Sequence, residues 1–273
     1  MYLGVDVGGT KVLVGVLDDS GKITEHVKFA TPVSYDEFLE KLRETVASFT
    51  TKEFRAAGVG IASNHFDRKD AVALSFGNLP WRNVPIQYDV QKIINCPVVV
   101  ENDAKLAGLS EAILVKGTYE KVLYVTVSTG IGYSLIVNQQ IDSNIGDGGG
   151  KSILLEHNGK FMPWEEFASG HAIVKRYNKM AKDIDDEKTW NHIVRDLAKG
   201  FTELIAVTQP DVIVIGGSVG VYFDRFGSLL SAELKKYEVP LVSIPPLIGA
   251  KRPEEAVIYG CYELARQTYA KHG

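Results

Sequence analysis

A short alternating strand, a Gly-Gly-Thr turn and a returning apolar strand open the chain, and this stretch narrows the fold more than any other. In LGVDVGGTK, residues 3–11, Leu3, Val5 and Val7 alternate with small or acidic residues, and residues 12–17 form a second apolar run, the pattern of a β-hairpin. Gly8 and Gly9 let backbone N–H groups come close to another group, while Thr10 adds a hydroxyl and Lys11 an ammonium, which suits an anion such as a phosphate. Asp6 puts a carboxylate beside that phosphate, where a hydrated Mg²⁺ is held well. An ordinary hairpin connection fits the same residues, so the stretch alone leaves both readings open. The theme returns at residues 122–137: a clean strand, the turn Ser128-Thr129-Gly130-Ile131-Gly132, and a strand coming back. Two such hairpins predict a duplicated architecture.

Between and after them, apolar spacing predicts a third strand over 22–32, a helix over 35–50, strands at 56–62, 72–75 and 97–100, and a helix over 104–114. The polar triplet Glu101-Asn102-Asp103 thus stands where a strand end meets a helix start, the place where α/β folds put chemistry. Asn102 or Asp103 serves equally well as an N-cap on position alone. Further on come a glycine-dense loop at 146–150, helices over 164–182 and 190–207, and a strand over 211–215 that runs into Gly216-Gly217. A glycine pair there either exposes backbone to a flat ligand such as a purine and its ribose, or serves close packing. A late strand at 241–244 and a closing helix over 256–269 complete the prediction. With 273 residues there is chain enough for two domains. The boundary is expected at 114–119, giving a smaller α/β domain of 1–114 plus 256–273, a larger one of 115–255, and a central cleft between them.

Composition excludes several classes. No apolar run reaches the roughly 18 residues that span a bilayer, and the N-terminus has no basic region before an apolar one, so a cytoplasmic protein without membrane contact is expected. Cys96 and Cys261 have no CxxC spacing, which argues against a disulfide scaffold and a structural zinc site. A net charge of -4, dispersed, gives no support to nucleic-acid binding.

Taken in order, an Asp-led glycine hairpin, a carboxylate at a strand end, a second glycine hairpin and a glycine pair after a buried strand describe the nucleotide cleft of the actin, hexokinase and heat-shock ATPase (ribonuclease H-like) fold. The chain resembles the ROK group of bacterial sugar kinases, which include glucokinases. The residues that carry the resemblance are DVGGTK (6–11), GNLPW (77–81), VENDA (100–104), STGIG (128–132), EEFASG (165–170) and VIVIGG (212–217). A Walker-A pattern is absent. The resemblance implies ATP-dependent phosphorylation of a sugar hydroxyl with Mg²⁺, in which glycine turns hold the phosphates and a carboxylate accepts the hydroxyl proton. It makes Asp103 the base, Asn102, Asn78 and Glu165 the sugar contacts, and Asp6, Gly8, Gly9, Thr10, Lys11, Ser128, Thr129, Gly130 and Gly132 the metal and phosphate residues. Gly216 and Gly217 face the adenosine, and a homodimer is usual among relatives.

The family pattern also breaks. The usual GExGH motif and the CxCGxxGC cluster that binds zinc are missing; residues 145–170 read IGDGGGKSILLEHNGKFMPWEEFASG, and sliding the alignment by two residues restores neither. No zinc is expected. Glu156 and His157 stand nearby, either as substitute contacts or as a solvated pair on an exposed turn. Ser63-Asn64-His65 occupies the place of a Pro-Gly turn, so a reshaped acceptor pocket is expected. Relatives that act as repressors carry an N-terminal helix-turn-helix, for which the motif beginning at Asp6 leaves no room, so DNA binding is not expected. A sugar or nucleotide sensor without turnover, or a kinase for an atypical acceptor, are the alternatives.

Overall fold

The computed structural model describes residues 1–63, 65–77, 79–252 and 254–269. The chain divides into two compact units, Met1–Ser110 with Glu254–Gly273, and Glu111–Pro253. In the first, the order is β1 (Tyr2–Val7), β2 (Lys11–Leu17), β3 (Ile23–Ala30), α1 (Tyr35–Ser48), β4 (Ala56–Ile61), β5 (His65–Asp67), β6 (Val72–Ser75), β7 (Arg82–Val84), α2 (Ile86–Ile94), β8 (Val98–Asn102) and α3 (Asp103–Leu114). A five-stranded sheet runs β3-β2-β1-β4-β8, antiparallel across the first three strands and parallel across the last three. A small antiparallel sheet, β5-β6-β7, sits beside it. Strand alternation gives β1 two different faces. Leu3, Val5 and Val7 join Phe38 and Leu42 of α1 and Ile86 and Val90 of α2 in one core. Tyr2 and Gly4, on the other face, meet the C-terminal helix Ala256–Tyr269 through Tyr262, Ile258 and Cys261. Asp6 shares that second face. The helix comes close because a Cβ on Gly58 would overlap the backbone of Cys261.

The second unit holds β9 (Lys121–Val127), β10 (Ile131–Val137), β11 (Gln140–Ile141), β12 (Leu154–His157), β13 (Lys160–Pro163), α4 (Trp164–Ala168), α5 (Gly170–Tyr177), α6 (Glu187–Thr208), β14 (Val212–Gly216), α7 (Gly217–Gly220), α8 (Phe223–Leu234) and β15 (Leu247–Gly249). Its sheet runs β11-β10-β9-β14-β15, again antiparallel over the first three and parallel over the last three. The plan of the first sheet is therefore used twice, and the duplication expected from the two hairpins is present. Leu123, Val125, Ile213 and Ile215 are buried on this sheet under Trp164, Trp190, Phe201 and Phe226.

Three expectations need correction. Residues 241–244 are not a strand: Leu241 is 91% exposed, and Pro240, Pro245 and Pro246 remove the donors a ladder needs, so the parallel partner of β14 is displaced to β15. The helix expected over 164–182 is broken at Ser169, which ends α4 and caps α5 by accepting the Ala172 N–H. Helices α2 and α8 and the hairpin β12–β13 were absent from the sequence prediction. Among the described residues no helix is long and apolar enough to cross a membrane.

Candidate active site

In the first unit, β1 and β2 pair up to Val7 opposite Val12, and Gly8 N–H donates to the Lys11 carbonyl at 3.1 Å, closing the turn. Thr31 braces the turn from β3's end: its hydroxyl donates to the Gly8 carbonyl at 2.8 Å and its N–H to the Thr10 carbonyl at 3.0 Å. The side chains of Thr10 and Lys11 are left exposed. Parallel register puts Asp6 beside Gly60 and Gly60 beside Glu101. With no side chain on Gly60, Leu106 of α3 and Val257 pack directly over β4. The start of α3 is thereby drawn toward the Asp6 side of the sheet, and its first residue is Asp103.

Asn102 is the cap of that helix: Oδ1 accepts the N–H groups of Ala104 at 2.9 Å and Lys105 at 3.3 Å, and Nδ2 donates to the Ser63 carbonyl at 3.1 Å. Its oxygen is committed, and the second Nδ2 proton is what remains for a ligand. Asp103 Oδ1 accepts the Ala104 N–H at 2.7 Å, at a helix N-terminus that favours an anion. Burial nevertheless pushes its carboxyl up to about 6. For Asp6 burial, and then the Asp103 charge, raise the value to about 7, while Lys28 pulls it down. Lys28 reaches that group across β2, since Leu13 pairs with both Asp6 and Lys28.

In the second unit the hairpin Ser128–Gly132 is held from α4 and α5. Gly170 N–H donates to the Ser128 carbonyl at 2.7 Å and His171 N–H to the Thr129 carbonyl at 3.4 Å, which is the use of the helix break at Ser169. Glu165 Oε2 accepts the Ile131 N–H at 3.0 Å, and Lys151 Nζ stands 3.6 Å from Oε1. Trp164 fixes this carboxylate by lying fully buried over Gly200 of α6, its Nε1 donating to the Asp196 carbonyl at 3.2 Å. A Cβ on Gly130 would meet Glu165 Oε2 at 2.5 Å, well inside contact distance. Gly130→Ala is accordingly expected to destabilise by about 1–3 kcal/mol, seen as a lowered melting temperature; an unchanged melt would mean that Glu165 swings away at no cost.

Gly216 and Gly217 lie against Tyr124, Thr126 and Val127 of β9, and Gly217 adopts φ +85. Packing and backbone conformation alone require both glycines, whatever ligand they also face. His157 is not a solvated turn residue: its ring stacks on Phe167 at 4.2 Å with Nδ1 3.5 Å from Asp196, while Glu156 is exposed and accepts the Gly159 N–H. Asn78 lies outside the described residues. Sequence reasoning missed Lys28, Lys151 and the pairing of Arg68 with Glu101, since each depends on residues brought together by folding. Among the described residues no three His, Cys, Asp or Glu side chains form a metal cage.

The chain is similar to known proteins over nearly its whole length. The ROK family model matches residues 2–268. A glucokinase of Streptomyces coelicolor is 26% identical over 320 residues, covering 98% of each chain. An N-acetylmannosamine kinase of Vibrio cholerae is 24% identical over 270 residues, covering 88% of this chain and 92% of its own. The crystal structure of a ROK family glucokinase from Streptomyces griseus, in complex with glucose and AMPPNP, superposes with a TM-score of 0.81 at 24% identity, over 97% of this chain and 99% of that one. At that identity the structural likeness is one of fold.

Proposed function

The chain belongs to the ROK family, and from that premise we propose that it is an ATP-dependent sugar kinase, moving the γ-phosphoryl group of Mg·ATP to a hydroxyl of a hexose or related sugar. The observation that carries the reading is the Asp6–Asp103 pair, two half-buried carboxylates at the end of β1 and the start of α3, next to a glycine hairpin. Phosphoryl transfer asks the protein for positioning and charge neutralisation, plus one proton acceptor. Asp103 is that acceptor: it takes the proton of the sugar hydroxyl as the oxygen attacks the γ-phosphorus and ADP departs. A carboxyl value near 6 suits it, being ionised at neutral pH yet more basic than an exposed aspartate.

Gly8 and Gly9, whose lack of side chains lets a phosphate approach the turn, are assigned with Thr10 and Lys11 to the phosphates in the first unit, and Ser128, Thr129, Gly130 and Gly132 in the second. Gly216 and Gly217 are assigned to adenosine, and Asn102 Nδ2, Glu165 Oε1 and Asn78 to the sugar. Mg²⁺ fits these donors, because it is content with one or two carboxylates plus phosphate oxygens. Asp6 would hold it through water, and the bound ion would neutralise phosphate charge.

The experiment is ADP release from Mg·ATP across hexoses, N-acetylhexosamines and polyols; no release with any acceptor would remove the proposal. With the acceptor in hand, kcat/KM is expected to rise through an acid limb spanning about pH 6 to 7 and to level by about pH 8, since protonated Asp103 accepts nothing and protonated Asp6 holds its metal poorly. A profile flat from pH 5 to 8 would take Asp103 out of the role.

A further inference from the structure

Glu101, the penultimate residue of β8, has its side chain buried, and nothing in the proposed transfer uses it. A carboxylate withdrawn from water costs several kcal/mol unless it is paired. Arg68, in the turn between β5 and β6, supplies the pair: Nε donates to Oε2 at 3.1 Å and Nη2 to Oε1 at 2.6 Å. This two-point fork fixes orientation as well as distance. Oε1 also accepts the Asn102 N–H at 2.7 Å. One carboxylate therefore connects the tip of the β5–β6 hairpin to the residue next to Asp103. The tip itself is shaped for this: Asp67 Oδ1 accepts the N–H groups of Lys69 at 2.9 Å and Asp70 at 3.2 Å, folding the turn that presents Arg68.

A second tie runs at the base of the same hairpin. Asn102 Nδ2 holds the Ser63 carbonyl, while the buried Ser63 hydroxyl donates to the Ser75 carbonyl at 2.6 Å and accepts the His65 N–H at 3.2 Å. The β5–β6 hairpin is thus fastened at base and tip to the β8–α3 junction. The first glycine hairpin is braced separately, through Thr31.

We propose that Arg68 is a positioning residue for the acceptor half of the reaction: its fork on Glu101 holds the β5–β6 hairpin against the β8–α3 junction and so sets where an acceptor hydroxyl meets Asp103. This rests on the sugar-kinase reading. Because the phosphate turn has its own brace, the effect falls on the acceptor and spares ATP.

Arg68→Ala is expected to raise the acceptor KM by about 10- to 100-fold while the ATP KM stays within about twofold of the parent. Arg68→Lys, which keeps the charge and loses the fork, falls between. A role in folding alone would lower the melting temperature and leave both KM values where they were, or move them together, and either result overturns the proposal. Amide hydrogen exchange is the arm that does not need turnover. In Arg68→Ala the N–H groups of Asn102, Ala104 and Lys105 are expected to lose protection while that of Gly8 keeps it; unchanged protection at all four overturns the tie. If the parent protein phosphorylates no acceptor, the kinase reading has failed, and the exchange result still decides whether Arg68 orders the junction.

Discussion

Asp103→Asn is expected to lower kcat by about 10²- to 10⁴-fold, the usual worth of a placed proton acceptor, with the affinity for Mg·ATP nearly unchanged. Asparagine is the informative substitution because it preserves shape. Its amide oxygen still accepts the Ala104 N–H that Oδ1 holds at 2.7 Å, so the first turn of α3 stays in place. Asn102, whose oxygen caps the same helix, is undisturbed. Only the basic lone pair is lost. ADP release measures the turnover and calorimetric titration the nucleotide binding; full turnover in this variant would require another acceptor for the proton. Asn102→Ala makes a poor substitute, since stripping a cap costs about 1 kcal/mol and would mix a helix effect into the chemistry.

What the sequence made legible here is what is local. A strand with period-2 alternation running into glycines declares itself within a dozen residues, and the hairpins at Gly8 and Gly130 are where that pattern put them. The strand-to-helix step at Asn102 and Asp103 is legible for the same reason; the capping reading holds for Asn102, whose oxygen accepts two N–H groups of α3, and the catalytic reading of Asp103 is the one proposed above. Helix α2 is not among the predicted elements, although Ile86, Val90 and Ile94 are buried at spacings of four, because Pro85 and the short length make the stretch read as loop. Alternation misled at 241–244, where the prolines on either side outweigh an apolar pattern. The pairing of Arg68 with Glu101 spans 33 residues and depends on which way a small hairpin folds back, so no local signal contains it. Lys151 beside Glu165 is of the same kind: a lysine after a run of glycines becomes informative only once Gly150 is seen packed against Glu165.

Asp6→Asn is expected to cost activity and add stability, with the gain tied to pH. The carboxyl of Asp6 stands at about 7 in the folded protein against 3.8 in the unfolded chain, chiefly because burial disfavours its charge and secondarily because Asp103 is also negative. Above pH 7 the group is ionised in both states and the folded state bears the full cost; below about pH 4 it is neutral in both and bears none. The asparagine variant should therefore melt higher at pH 8, by about 2–8 °C for a gain of about 1–2 kcal/mol once the partial exposure of Asp6 is allowed for, and the difference should vanish as the pH falls toward 4. Lys28, which loses an opposite charge, offsets part of this gain. Turnover should fall at least about 100-fold, because the developing phosphate charge loses the group assigned to hold its metal ion. A chain that keeps an expensive carboxylate where an amide would be cheaper keeps it for what it binds. If Asp6→Asn instead melts lower at pH 8, or by an amount that does not change with pH, the carboxylate is a structural anchor of β1 and has no claim on the phosphates.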